Sequence, residues 1–153
     1  MKRIVLIASM VVMMALVSAT VSMAATPYQT TLSLNSGYSY TLGELELEFK
    51  SNRWASGATV GYGWSNLEIG LFGRYYIPLN PISSQVNWNL FLSVTPSLLI
   101  RPAQTPMLGF GIKAGPGIDL RWGHLRVAVE GGYRWSTIYN HGGYAKVGIG
   151  YIF

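Results

Sequence analysis

The histidines, carboxylates and cysteines on which metal sites and most acid–base pairs are built are few in this 153-residue chain: His124, His141, six carboxylates and no cysteine. His124 and His141 flank one segment that, as a strand, holds them at opposite ends, beyond reach of a shared metal or proton. Gly109-Phe110-Gly111-Ile112-Lys113-Ala114 has the spacing of a dinucleotide fingerprint, but that fingerprint needs to open a helix, and nothing here does. The carboxylates carry a clearer signal. Glu44, Glu46 and Glu48 alternate with Leu45, Leu47 and Phe49. On a strand, alternate residues share a face, so three carboxylates lie on one side and three apolar groups on the other. The chemistry this implies is ion pairing with cations across a shared interior, not catalysis.

The elements that must position those charges follow from the same alternation. The sequence predicts strands over 28–35, 38–50, 55–64, 67–77, 88–101, 107–122, 124–136 and 143–153, separated by turn clusters such as Asn35-Ser36-Gly37 and Asn140-His141-Gly142-Gly143. The fourth strand puts Glu68 and Arg74 on its polar face. The sixth puts Lys113, Asp119 and Arg121 with glycines 109, 111, 115 and 117, against Leu108, Phe110, Ile112, Ile118 and Leu120. Arg126, Glu130 and Arg134 oppose Leu125, Val127, Val129 and Tyr133 in the seventh; Lys146 opposes Val147, Ile149, Tyr151 and Phe153 in the eighth. The expected interior ion-pair network is therefore Glu44, Glu46, Glu48, Glu68, Arg74, Lys113, Asp119, Arg121, Arg126, Glu130, Arg134 and Lys146. The glycines of that face are expected to make room for Tyr, Arg and Lys side chains.

Composition points the same way. Half of the residues are hydrophobic and only 11% charged, against about a quarter charged in soluble domains. Lys2 and Arg3 precede an apolar run from Ile4 to Val17 that ends in Ser22-Met23-Ala24, the order of parts in a secretory signal peptide cleaved after Ala24. The expected organisation is thus a signal peptide, 1–24, and a single barrel domain, 25–153. No later run is long and apolar enough for a membrane helix, because Pro78, Asn80, Pro81 and their neighbours interrupt the longest uncharged stretch.

Eight strands close into a barrel just wide enough to be filled by side chains. One face is then interior and the other exterior. A soluble carrier would put the apolar face inside, where it would not fit. Trp54, Trp64, Trp88, Trp122 and Trp135 fall at predicted strand ends, where membrane barrels carry aromatic girdles. A one-residue slip would send every charge to the other face, at about 2–4 kcal/mol for each Arg or Lys at mid-bilayer. The formal charge of +5 and pI near 9.6 then describe an internal network with a slight cationic excess, with no nucleic-acid patch. The fold class expected is all-β: an eight-stranded antiparallel transmembrane up-and-down β-barrel after an N-terminal signal peptide.

The last eight residues, Lys146-Val147-Gly148-Ile149-Gly150-Tyr151-Ile152-Phe153, end in an aromatic and carry Tyr151 two residues before it. This resembles the C-terminal signature by which barrel-insertion machinery recognises outer-membrane proteins, with Gly148, Tyr151 and Phe153 as its matching positions. The chain is similar in architecture to the small eight-stranded barrels of the OmpA and OmpX type. That resemblance implies the cell outer membrane, periplasmic termini, outer-membrane lipid and the insertion machinery as partners, and surface turns at 35–38, 64–67, 102–106 and 137–142. The longest connection, Pro78 to Asn87, would be periplasmic. Barrels of this size that deacylate lipid A carry His-x-Ser, whereas His124 is followed by Leu125-Arg126 and His141 by Gly142-Gly143.

The function expected is therefore that of a small, monomeric, non-enzymatic outer-membrane barrel with a structural or surface-interaction role and no cofactor. The alternative is a lipid-handling barrel, either lipid A-modifying or lipid-binding. It draws on Pro96 and Pro116, inside neighbouring strands at about the same height, which cannot donate ladder hydrogen bonds and so predict bulges or a lateral gap there.

Overall fold

The computed structural model describes residues 29–63, 66–102 and 107–153. The expected signal segment, Tyr28 and Trp64 lie outside them. Eight antiparallel strands, β1 (Gln29–Tyr38), β2 (Gly43–Ser51), β3 (Trp54–Gly63), β4 (Asn66–Pro78), β5 (Val86–Arg101), β6 (Met107–Trp122), β7 (Leu125–Ser136) and β8 (Gly142–Ile152), form one sheet in chain order. It closes through β1 and β8, from Thr31 opposite Ile152 to Tyr38 opposite Ala145. Closure removes the exposed edges that an open eight-stranded sheet would present.

Connections at the end carrying Gln29 and Ile152 are tight, except for residues 79–85. Asn52-Arg53 joins β2 to β3 between the paired Ser51 and Trp54, and Gly123-His124 joins β6 to β7 between Trp122 and Leu125. Each two-residue turn takes one left-handed residue, Asn52 at φ 53° and Gly123 at φ 57°, as short hairpins of matching twist require.

The first turn departs from expectation. Asn35-Ser36-Gly37 lies inside β1, opposite Glu44 and Gly43 on one side and Gly148, Val147 and Lys146 on the other. The turn is Ser39–Leu42, so residues 35–38 are not a loop. Asn35 reads as a turn former, but it is buried and donates a hydrogen bond from Nδ2 to Glu46 at 3.3 Å. Gly37 is demanded by close approach, since a Cβ there would sit 2.6 Å from the Cα of Lys146.

The prolines also behave differently. The β5–β6 ladder runs unbroken from Val86–Trp122 to Arg101–Met107, with Pro96 opposite Ile112 and Pro116 opposite Leu92. Ile112 and Pro116 stand on different levels of β6, so the prolines do not share a height. Pairing lapses on the far side of each strand, where the missing N–H would have pointed. On β4–β5 the lapse falls between Gly70–Ser97 and Gly73–Val94; on β6–β7 it falls between Ala114–Tyr133 and Gly117–Glu130. In both, two residues face two, so no residue is inserted and neither proline forms a bulge. At the second lapse the backbones close up: a Cβ on Gly115 would lie 2.6 Å from the Cα of Gly132.

Alternate residues turn inward throughout, and the interior is polar. Its largest fully buried side chains include Arg74, Arg126, Lys113, Glu46, Glu48 and Glu68, with Tyr76, Phe91 and Leu99 among them. The outward set is Leu, Ile, Val and aromatic: Leu32, Leu34, Leu45, Leu47, Val60, Ile69, Leu92, Val94, Ile118, Val129, Val147 and Ile149 are all exposed. The barrel is apolar outside and charged inside.

Wall glycines test this packing. A Cβ on Gly57 would collide with the Leu47 carbonyl and come within 2.6 Å of the Phe72 ring, whereas one on Gly73 meets nothing within 4 Å. Gly57→Val is expected to destabilise the barrel by about 1–3 kcal/mol through overpacking, and Gly73→Ala to change it by less than about 0.5 kcal/mol, as read from urea unfolding of the refolded protein in micelles.

Candidate functional site

The interior charges form one connected network drawn from five strands. β2 supplies Glu44, Glu46 and Glu48; β4, Glu68 and Arg74; β6, Lys113, Asp119 and Arg121; β7, Arg126 and Glu130; and β8, Lys146. At its centre the Arg74 guanidinium takes Glu46 bidentately, at 2.5 and 2.7 Å, and also donates to Glu48 at 2.8 Å and Glu130 at 3.0 Å. Arg126 donates to Asp119 at 2.7 Å and Glu46 at 3.0 Å. Arg121 donates to Asp119 at 2.6 Å and Glu48 at 3.0 Å. The Tyr76 hydroxyl donates to Glu48 at 2.7 Å, and the Tyr144 hydroxyl to Glu130 at 2.8 Å. Lys146 donates to Glu44 at 3.1 Å and reaches Glu46 and Glu130 at 3.7 Å; Lys113 lies 2.5 Å from Glu44 and 2.9 Å from Glu68. Charge-assisted and bidentate bonds of this kind are the strong ones.

All six carboxylates of the chain are in this network, each at most 3% exposed. Five cations face them inside. Lys50, half-buried, sits at the end of the barrel with its ammonium 4.2 Å from the Tyr76 ring centroid. Small polar residues of the intervening strands, among them Thr31, Ser33, Thr59, Ser93 and Thr95, are buried beside the long charged ones.

Arg134 stands apart from the network expected for it. It is half-buried at the opposite rim, donates to the Ser39 carbonyl, and lies 4.6 and 5.3 Å from the Tyr38 and Tyr40 rings. Among the described residues it makes no ion pair with a carboxylate, because β2 starts its run of glutamates below this level, at Glu44. Tyr40 is the residue that sequence reasoning missed. The Ser39–Leu42 turn folds its ring into the barrel, where it is 3% exposed and its hydroxyl donates to the Trp135 carbonyl. Burial pushes the Tyr40 hydroxyl up to about 12, with the Glu68 charge adding to the effect. The ring caps the network at this end.

The inward glycines mostly admit neighbours other than the Tyr, Arg and Lys side chains expected. Cβ atoms at Gly117, Gly148 and Gly150 would overlap Phe91, Asn35 and Ser33 respectively; at Gly109 the neighbour is Ile138. Only Gly111 answers to a tyrosine, with Tyr40 and Leu99 at 3.0 Å. The space goes to adjacent walls and the cap, while the long charged groups reach across the centre.

Two aromatic bands ring the outer face. Trp54, Trp122, Tyr151 and Phe153 are exposed at the termini end; Tyr38, Tyr62, Tyr133 and Trp135 are exposed at the other. Trp54 meets Tyr75 edge-on at 4.9 Å, Tyr151 stacks on His124 at 5.3 Å, and Phe153 meets Tyr151 at 5.1 Å. Trp88 belongs only partly to a band, since its indole N–H donates to the Asn80 carbonyl at 2.6 Å and the 79–85 connection covers it. Gly148 faces inward against Asn35, while Tyr151 and Phe153 face outward. His124 and His141 lie in connections at opposite ends of the barrel.

At the termini end the barrel opens into a cavity of about 610 Å³ bordered by Gln29, Lys50, Arg121, Trp122 and the 79–85 connection. Removing Glu130 strips Arg74 and Lys146 of one of their counter-charges, and breaking a buried pair costs about 3–5 kcal/mol. Glu130→Ala is therefore expected to lower unfolding free energy by about that amount, and Glu130→Leu combined with Lys146→Met by less, since the double change preserves charge balance; urea midpoints in micelles give both.

No family model, curated protein or solved structure matches this chain.

Proposed function

We propose that this chain is a small outer-membrane β-barrel of the OmpA and OmpX type, spanning the bilayer with its eight strands and serving a structural or surface-interaction role without catalysis. The observation that carries the reading is the inverted distribution of polarity: every Asp and Glu buried inside, an outer wall of Leu, Ile and Val, and an aromatic band at each end of that wall. Water penalises so large an exposed apolar surface, whereas a bilayer solvates it and favours Trp and Tyr at its two interfaces. Strands of 9 to 16 residues meet the ~9–11 residues a tilted strand needs to cross. A closed barrel also satisfies its backbone within itself, which hydrocarbon demands. Tyr151 and Phe153, exposed at the end of β8, are available to the insertion machinery, and outer-membrane lipid is the surrounding partner. In this reading the termini and the 79–85 connection are periplasmic.

The lipid-handling alternative needs an opening in the wall at Pro96 or Pro116. The continuous β5–β6 ladder and the contact of Gly115 with Gly132 favour a closed wall.

Fractionation of a Gram-negative host expressing the full chain is expected to place it in the outer-membrane fraction, shortened by the 24-residue leader and migrating faster on gels unboiled than boiled. Recovery from the soluble fraction, or identical mobility in both states, contradicts the reading. Lipid A from expressing and non-expressing cells is expected to be identical; an altered acyl pattern would favour the lipid-handling barrel.

A further inference from the structure

The cavity at the termini end has a charge pattern unlike the rest of the interior. Every carboxylate of the chain is committed to the network, and none lines the cavity. Two cations do. Lys50 is held over the Tyr76 ring by a cation–π contact at 4.2 Å, with no carboxylate in ion-pair reach among the described residues. Arg121 commits Nε and Nη2 to Asp119 and Glu48 but turns Nη1 to the side-chain oxygen of Gln29, a neutral partner. The remaining wall is amide-rich, with Gln85 and Asn87 exposed, and Trp88 and Trp122 border it.

We propose that this mouth binds a sugar-sized polar molecule bearing an oxyanion. Lys50 supplies a charge-assisted donor for the anion, and the Arg121 guanidinium, held by Gln29 on its cavity side, adds positive charge beside it. The side-chain amides of Gln29, Gln85 and Asn87 offer both donors and acceptors, which suits hydroxyl groups. About 610 Å³ lies within the ~300–1,000 Å³ of small-molecule sites. Binding at Lys50 leaves the central network intact, because among the described residues lining the cavity it is the cation not engaged by a carboxylate.

Glucuronate and glucose, alike in ring and differing by the carboxylate, are the probes. Tryptophan fluorescence of the full refolded chain in micelles reads binding, since Trp88 and Trp122 border the cavity. Glucuronate is expected to bind at least about tenfold more tightly than glucose, Lys50→Gln to abolish that preference, and Lys50→Arg to retain it. Equal binding of the two sugars, absence of glucuronate binding, or a preference that survives Lys50→Gln overturns the proposal. The wild-type comparison decides even if Lys50→Gln does not refold.

Discussion

Six carboxylates with a single place to go determine this molecule. Glu44, Glu46 and Glu48 stand on one face of β2 and share the interior with Glu68, Asp119 and Glu130. Buried carboxylates are tolerated only when paired and hydrogen-bonded. Arg74, Arg126, Arg121, Lys113 and Lys146 have to project from other walls to meet them, and each does so at hydrogen-bonding distance. Those partners come from β4, β6, β7 and β8, so the network forms only when the sheet is closed. Pairing of charge and closure of the barrel are one event, and the register of each strand is fixed by the charge it must deliver.

The outer wall follows from the same constraint. With most inward positions given to charged, small polar or tightly packed aromatic groups, and a few, such as that of Leu99, to aliphatic ones, most aliphatic residues have only the exterior. A barrel with such a wall is stable where something apolar covers it. The aromatic bands at the two ends, Trp54, Trp122 and Tyr151 against Tyr62, Tyr133 and Trp135, support a cover of bilayer geometry over a protein partner, which would give a patch on one side of the barrel and not a ring at each end. The interior is correspondingly crowded: Arg74 and Arg126 cross it, and Tyr40 caps one end. The termini end retains a cavity of ligand size.

Much of this was legible in the sequence because the strand period is two and the charges are sparse. Alternation in β2, β6, β7 and β8 separates charged from apolar residues without a conflict, which is why strand number and the two faces could be read from residues alone. Turn chemistry was less reliable. Asn35-Ser36-Gly37 has the composition of a turn, yet Asn35 bonds to Glu46 and Gly37 admits β8, and both are tertiary demands invisible along the chain. Tyr40 shares the parity of Glu44, Glu46 and Glu48, so alternation alone turns it inward; what the strand reading hid is its place as a cap, which comes from the Ser39–Leu42 turn. Arg134 has the right parity but the wrong height, and height depends on strand stagger, which alternation does not encode. Pro96 and Pro116 announced a lapse in pairing, but which neighbouring strand loses it depends on the direction of the missing N–H.

The central claim, that charges line the interior while a bilayer covers the apolar face, is tested most directly by a cysteine scan of β2. The native chain has no cysteine, so each single variant from Glu44→Cys to Phe49→Cys carries one thiol for a nitroxide label. In reconstituted liposomes, labels at 45, 47 and 49 are expected to collide with oxygen dissolved in the lipid, and labels at 44, 46 and 48 to be shielded from it, a two-residue oscillation in phase with the apolar face. A flat profile along the strand, or an oscillation of the opposite phase, would contradict the account.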